Sequence, residues 1–148
     1  MLRTLFLLVL VSLACSAAVL RADQTVPAPV PPSLDYQFFK DKVQPILLAK
    51  RPGHVRCITC HVQGSGGLKL ELLSPGATTW DEEQSKKNFE SVVRKVVPGN
   101  LKASRLLMHP LRAESGGDVF HFGGGQWNSV NHPEWQIIAA WVRGEKSQ

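Results

Sequence analysis

The chain has 148 residues, 43% hydrophobic, 7% aromatic and 20% charged, with 12 glycines, 10 prolines and 3 cysteines; that composition excludes a disordered or collagen-like protein. A signal-like N-terminus and a proline-rich connector leave roughly 115 residues for one small core, which excludes a multidomain enzyme, and three cysteines exclude both a disulfide-dense scaffold and a four-thiolate metal site. The formal charge of +5 falls to about +3 once Arg3 and Arg21 leave with the leader, and no run of five or more like charges occurs, so there is no electrostatic footprint for nucleic acid.

Residues 1–22 read as a secretory signal peptide. Arg3 supplies the positive start, Leu5 to Leu13 the apolar stretch, and Ser16-Ala17-Ala18 or Leu20-Arg21-Ala22 the small-residue cleavage site. The expected destination is the periplasm or the exterior. Two competing readings keep a membrane tether: Thr4 to Leu20 carries no charge and approaches the length of a spanning helix, and Cys15 is a lipidation candidate, although Ser12-Leu13-Ala14 makes a poor lipobox. Residues 23–33 form a linker in which Pro27, Pro29, Pro31 and Pro32 impose extended geometry. The folded domain is expected over residues 34–148.

Ser33 is a plausible N-cap for a helix from Leu34 to about Lys50, where Tyr36, Phe39, Val43, Ile46 and Leu47 recur at helical spacing. Pro45 inside that run predicts a kink or break.

Cys57-Ile58-Thr59-Cys60-His61 is the c-type haem attachment pattern. In a helical turn, residues three apart share a face, so Cys57 and Cys60 can both form thioethers to one porphyrin edge. His61 follows about 100° further round, where its imidazole can ligate the iron. A zinc reading lacks a fourth ligand, and the adjacent Cys60 and His61 do not match paired zinc-ligand spacings. A thioredoxin-like dithiol needs a preceding strand, which Arg51-Pro52-Gly53-His54-Val55-Arg56 does not offer.

Gly64, Gly66 and Gly67 then mark a turn-rich loop, and the Pro75 carbonyl is a candidate partner for the far nitrogen of His61. Thr78 to Glu83 reads as a helix start, acidic in its first turn, with Phe89, Val92, Val93, Val96 and Val97 on one face and Pro98-Gly99 as its stop. Lys102 to His109 reads as a short helix ending before Pro110. His132 to Val142 carries Trp135, Ile138, Ala139 and Val142 as a core stripe, with Asn131 and Glu134 as a capping pair and Gly144 beyond its end. Trp135 and Trp141 are expected to bury against the first helix and the haem edge. Trp80 and Trp127 are read either as indole donors to a haem propionate or as exposed aromatic surface. His54 and His132 are read as loop and capping residues.

Taken together, the Phe39-to-Leu47 stretch, Cys57 to His61, Gly66-Gly67-Leu68-Lys69-Leu70, Val97-Pro98-Gly99, Ser104-Arg105-Leu106-Leu107 and the Trp135-to-Trp141 helix resemble the single-haem cytochrome c domains of the planctomycete type, a family also common in exported proteins of soil bacteria. The resemblance spans Tyr36 to Gly144. It implies an all-α, small cytochrome c-like fold, three to five helices around one covalent haem c, that passes single electrons to redox proteins of the bacterial cell envelope. In that family the second iron ligand is a Met in the loop before the last helix. Here that loop reads Val119-Phe120-His121-Phe122-Gly123-Gly124-Gly125, which puts His121 at about the family's ligand position. His109 and Met108, just before Pro110, are the alternatives, and an open site is the remaining one. The choice matters because Met ligation raises the iron's potential relative to two histidines.

The expected function is therefore a one-electron carrier rather than an enzyme, with Cys57, Cys60, His61 and His121 around the haem. Two other readings stay open: a haem protein with an open iron that binds small ligands or handles peroxide, and a periplasmic dithiol oxidoreductase using Cys57 and Cys60. Lys69, Lys86, Lys87, Lys95 and Lys102 are candidates to steer acidic partners, the alternative being the usual role of lysines as solvated surface. Because a covalent haem fills and staples a small domain, the haem-free chain is expected to fold poorly.

Overall fold

A computed structural model describes residues 31–148; the expected export segment, Cys15 and most of the proline-rich linker lie outside them. The described residues are helical and contain no strand, only two isolated bridges, Val97 with Asn100 and Leu111 with Trp127.

The first helix, α1, is continuous through Tyr36–Phe38, Phe39–Val43 and Gln44–Leu48. Its N-cap is Asp35, whose carboxylate accepts from Phe38 N at 2.7 Å, rather than Ser33, whose hydroxyl accepts from Lys146 Nζ at 2.9 Å. Carboxylates outrank a distant hydroxyl here because Asp35 stands at the position that meets the orphan N–H groups of the first turn. Pro45 does not break the helix. The segment before it, Phe39–Val43, widens to π spacing, with Gln44 N bonded to Phe39 O, so that the missing N–H and the ring of Pro45 are absorbed within the bulge.

The Cys57-to-His61 motif forms a single helical turn, α2 (Cys57–His61), entered from an extended Arg56. Helix α3 (Glu82–Val93) starts at a reciprocal cap: Asp81 Oδ1 accepts from Gln84 N at 2.8 Å and Gln84 Oε1 accepts from Asp81 N at 3.1 Å. It ends four residues before the expected Val97, because Val97 N is taken by Ser104 Oγ at 3.0 Å and the chain turns there. Helix α4 (Arg105–Met108) is correspondingly shorter than the predicted Lys102 to His109. In α5 (Pro133–Val142), His132 is itself the N-cap, accepting from Glu134 N at 3.3 Å through Nδ1. Glu134 is thereby free to turn inward, and Asn131 takes no part in the cap.

Helices α1, α3 and α5 meet at an aromatic cluster. Phe39 lies 5.4 Å from Phe89 and 5.5 Å from Trp141, and Phe89 lies 6.1 Å from Trp141, ring centroid to centroid. The indole of Trp141 donates to Asp35 O at 2.8 Å, tying the last helix to the start of the first. Trp135, Ile138, Ala139 and Val142 are all buried, as their stripe predicts. Trp135 donates to Leu107 O at 3.3 Å and so joins α5 to α4 rather than to α1. Among the described residues no helix is long and apolar enough to cross a membrane.

Candidate functional site

Helix α2, α4 and the segment from His109 to Trp127 enclose a cavity of about 540 Å³, within the size range of cofactor sites. Cys57, Cys60 and His61 line it from one side, His109 and His121 among the residues opposite. Both cysteines are free thiols, Cys57 half-buried and Cys60 exposed. Burial pushes the Cys57 thiol up in pKa, and the adjacent Arg51 guanidinium opposes that rise.

The far nitrogen of His61 is held by two backbone carbonyls, Ser65 O at 2.9 Å and Leu68 O at 3.1 Å. The expected partner, Pro75, is not among them. The tight turn Ser65–Gly67 folds the chain straight back onto the imidazole, and Leu70 N closes it on His61 O at 3.0 Å, so nearer carbonyls arrive first. Since a carbonyl only accepts, Nδ1 carries a proton, and in the tautomer that can ligate a metal the lone pair is on Nε2.

His121 repeats this arrangement. Its Nδ1 donates to Gly124 O at 2.7 Å, again leaving the Nε2 lone pair free. Burial lowers its pKa and favours the neutral ring, a tendency to which His109 and His61 add and which the Gly124 carbonyl opposes. The rings of His61 and His121 are nearly parallel, 15° between planes, with centroids 6.5 Å apart. Gly123 lets the ring lie close: a Cβ on it would stand 3.0 Å from His121 Cε1 and would make the imidazole shift.

His109 is the third imidazole at the cavity. Its Nδ1 is paired with Asp118 Oδ2 at 2.6 Å, and its ring stands at 70° to His121 with centroids 4.9 Å apart. Met108 packs half-buried against the hydrophobic core and is not part of the cavity wall. His54 is also away from the wall. Phe120 and Phe122 stand at the rim, 76% and 105% exposed.

Both readings of the remaining tryptophans need correction, because each is buried and each indole N–H is already bonded. Trp80 donates to Glu71 O at 2.7 Å and Trp127 to Glu134 Oε2 at 3.0 Å. Comparison of the chain with protein-family models, with curated proteins and with solved structures returns no match.

Several residues that shape the site carry no sequence signal. Arg51, 8% exposed, donates to Glu134 Oε2 at 2.6 Å, Ile46 O at 2.9 Å and Gln126 Oε1 at 3.3 Å, and its guanidinium carbon sits 5.6 Å from the Trp127 ring centroid. Arg56, Lys95 and Arg105 also line the cavity, and among the described residues none of them is in an ion pair. The carboxylate in that wall, Asp118, is already engaged by His109. Among the described residues no group of three or more His, Cys, Asp or Glu is arranged to hold a metal ion.

Proposed function

We propose that this chain is an exported monohaem c-type cytochrome with a small cytochrome c-like fold, acting as a one-electron carrier. The observation that carries the reading is the pair of nearly parallel imidazoles, His61 and His121, 6.5 Å apart at a cavity that Cys57 and Cys60 also line. Two imidazoles bound to one metal through nitrogens at about 2.0–2.1 Å have ring centres roughly 6 Å apart, close to the 6.5 Å between His61 and His121, and each Nε2 would have to be turned toward that metal for both to bind it.

The donor chemistry fits as well. Two imidazoles with no third protein ligand suit a metal that brings its own in-plane nitrogens, and two thiols three residues apart suit thioether attachment. Each ligand imidazole is oriented through Nδ1 by a backbone carbonyl, which fixes the tautomer and strengthens Nε2 as a donor. Arg56, Lys95 and Arg105 leave the wall short of negative charge, which the two carboxylates of a haem supply. When bound, the haem would supply a reversible one-electron iron couple; Cys57 and Cys60 would attach it, His61 and His121 would hold its metal, and acidic redox partners of the cell envelope are the expected electron acceptors and donors.

The open-iron reading, a ligand-binding or peroxide-handling protein, draws support from the His109–Asp118 pair beside His121. The dithiol oxidoreductase reading lacks the strand that should precede the cysteine pair: among the described residues no strand occurs, and the motif is entered from an extended Arg56.

The test is expression alongside a haem-attachment system, followed by mass and oxidised and reduced spectra. The wild type is expected to gain the mass of one haem and to show six-coordinate low-spin iron in both states. His121→Ala should convert it to high-spin iron that takes carbon monoxide readily, whereas His109→Ala and Met108→Ala should leave the spectrum unchanged. A colourless product with the bare chain mass and two titratable thiols would overturn the proposal in favour of the dithiol reading.

A further inference from the structure

The loop that carries His121 is weakly tethered. Among the described residues, the hydrogen bonds from outside onto Val119 to Gly125 are one at its entrance, Phe120 N to Asp118 Oδ1 at 2.9 Å, and one near its exit, Gln126 Nε2 to Gly123 O at 3.1 Å. The bond that orients the His121 ring, to Gly124 O, is internal to the loop, so the imidazole is only as fixed as residues 123 and 124 are.

Gln126 has the means to fix them. It is 6% exposed, its backbone N–H donates to Pro110 O at 2.7 Å, and its side-chain oxygen accepts from Arg51 Nη1 at 3.3 Å. Arg51 is anchored in turn by Glu134 on α5 and by the carbonyl of Ile46 on α1. A buried carboxamide with both ends engaged holds one orientation, because rotating it would leave a desolvated donor or acceptor without a partner.

We infer that Gln126, braced by Arg51, is a positioning residue that keeps the His121 loop closed over the cavity. The inference rests on the reading of His121 as an iron ligand and names what controls that ligand. Through its bonds to Glu134 and Ile46 O, Arg51 ties Gln126 to the first and last helices.

Carbon monoxide binding to the reduced, haem-loaded protein reads the fraction of time the His121 position is vacated. Gln126→Leu, which keeps the bulk and removes both bonds, should raise the association rate about fivefold, the population change expected for one buried hydrogen bond. Gln126→Glu keeps an acceptor for Arg51 but sets a carboxylate against Gly123 O, and should raise the rate at least as much. If the effect passes through His121, Gln126→Leu should change the rate by less than about 1.5-fold in a His121→Ala background. Hydrogen exchange at residues 119–125 should quicken in both single variants.

An unchanged rate in the single variants overturns the inference, as does an equal rise in the His121→Ala background or a wild type that is already high-spin. Should Gln126→Leu fail to fold, Gln126→Glu carries the same comparison. A colourless wild type defeats the cytochrome reading itself, whereas a haem-loaded protein indifferent to Gln126 defeats only this inference.

Discussion

Tyr36 is the one tyrosine of the chain, and its hydroxyl donates to Glu82 Oε1 at 3.0 Å. Burial, followed by the bond to Glu82 and the charge of that carboxylate, pushes its pKa up from 10.0 to about 12. The folded state therefore holds this proton more tightly than the unfolded chain does, so the associated stability is complete below pH 10 and is lost as pH rises toward 12. A tyrosinate absorbance titration of the native protein should show its midpoint near 12, and Tyr36→Phe should flatten the alkaline fall in stability over that interval; a native midpoint at 10 would contradict the assignment. At the same scale, the grouping of Cys57, Cys60 and His61 on one helical turn was legible in the sequence, because it depends on residue spacing within that turn. The sequence offered no means of seeing Arg51 and Gln126, which pair across 75 residues, or Asp118, whose pairing with His109 depends on how the loop between them folds.

Helix α3 shows what a cap contributes to an element. Asp81 and Gln84 satisfy two N–H groups that the first turn would otherwise leave to water. Asp81→Ala should cost about 1 kcal/mol, seen as a lower denaturant midpoint with an unchanged slope; a wild-type midpoint would show that Gln84, which also donates to Leu72 O at 2.7 Å, holds the turn without it. The acidic start of α3 and the stripe of α5 are legible because both follow from helical periodicity and local electrostatics. The ends of α1 and α3 were less so. Ser33 and Asp35 are both acceptable caps by residue type, and the choice between them goes with Trp141, whose indole claims Asp35 O. The end of α3 is decided by Ser104 from the next segment, and Pro45 is accommodated because a helix held by tertiary contacts on both sides of it can widen rather than stop.

Over the whole molecule, the aromatic cluster of α1, α3 and α5 and the cavity of α2, α4 and the His121 loop should depend on the proposed haem to different degrees. Phe39, Phe89 and Trp141 contact one another and take no part in the cavity wall, whereas Phe120 and Phe122 stand exposed at its rim. A Cys57→Ala, Cys60→Ala double variant, unable to attach haem, should therefore keep part of its helical circular dichroism through the aromatic cluster and lose exchange protection over residues 119–125. Loss of all helicity would restore the simpler expectation that the entire domain needs its cofactor, and unchanged protection in the loop would count against a cofactor in the cavity. By itself, the sequence determined the one-turn geometry of residues 57 to 61, the buried face of the last helix and the helical class of the domain, because each is set by interactions within a few residues of one another. Only the tertiary structure decided which of several histidines faces His61, where the indole N–H groups are spent and how Arg51 joins Glu134 and Gln126. The longest of those pairings join residues 75 to 106 apart, and local preference carries no record of them: they exist only once the helices have packed and the unpaired polar groups must find partners out of water.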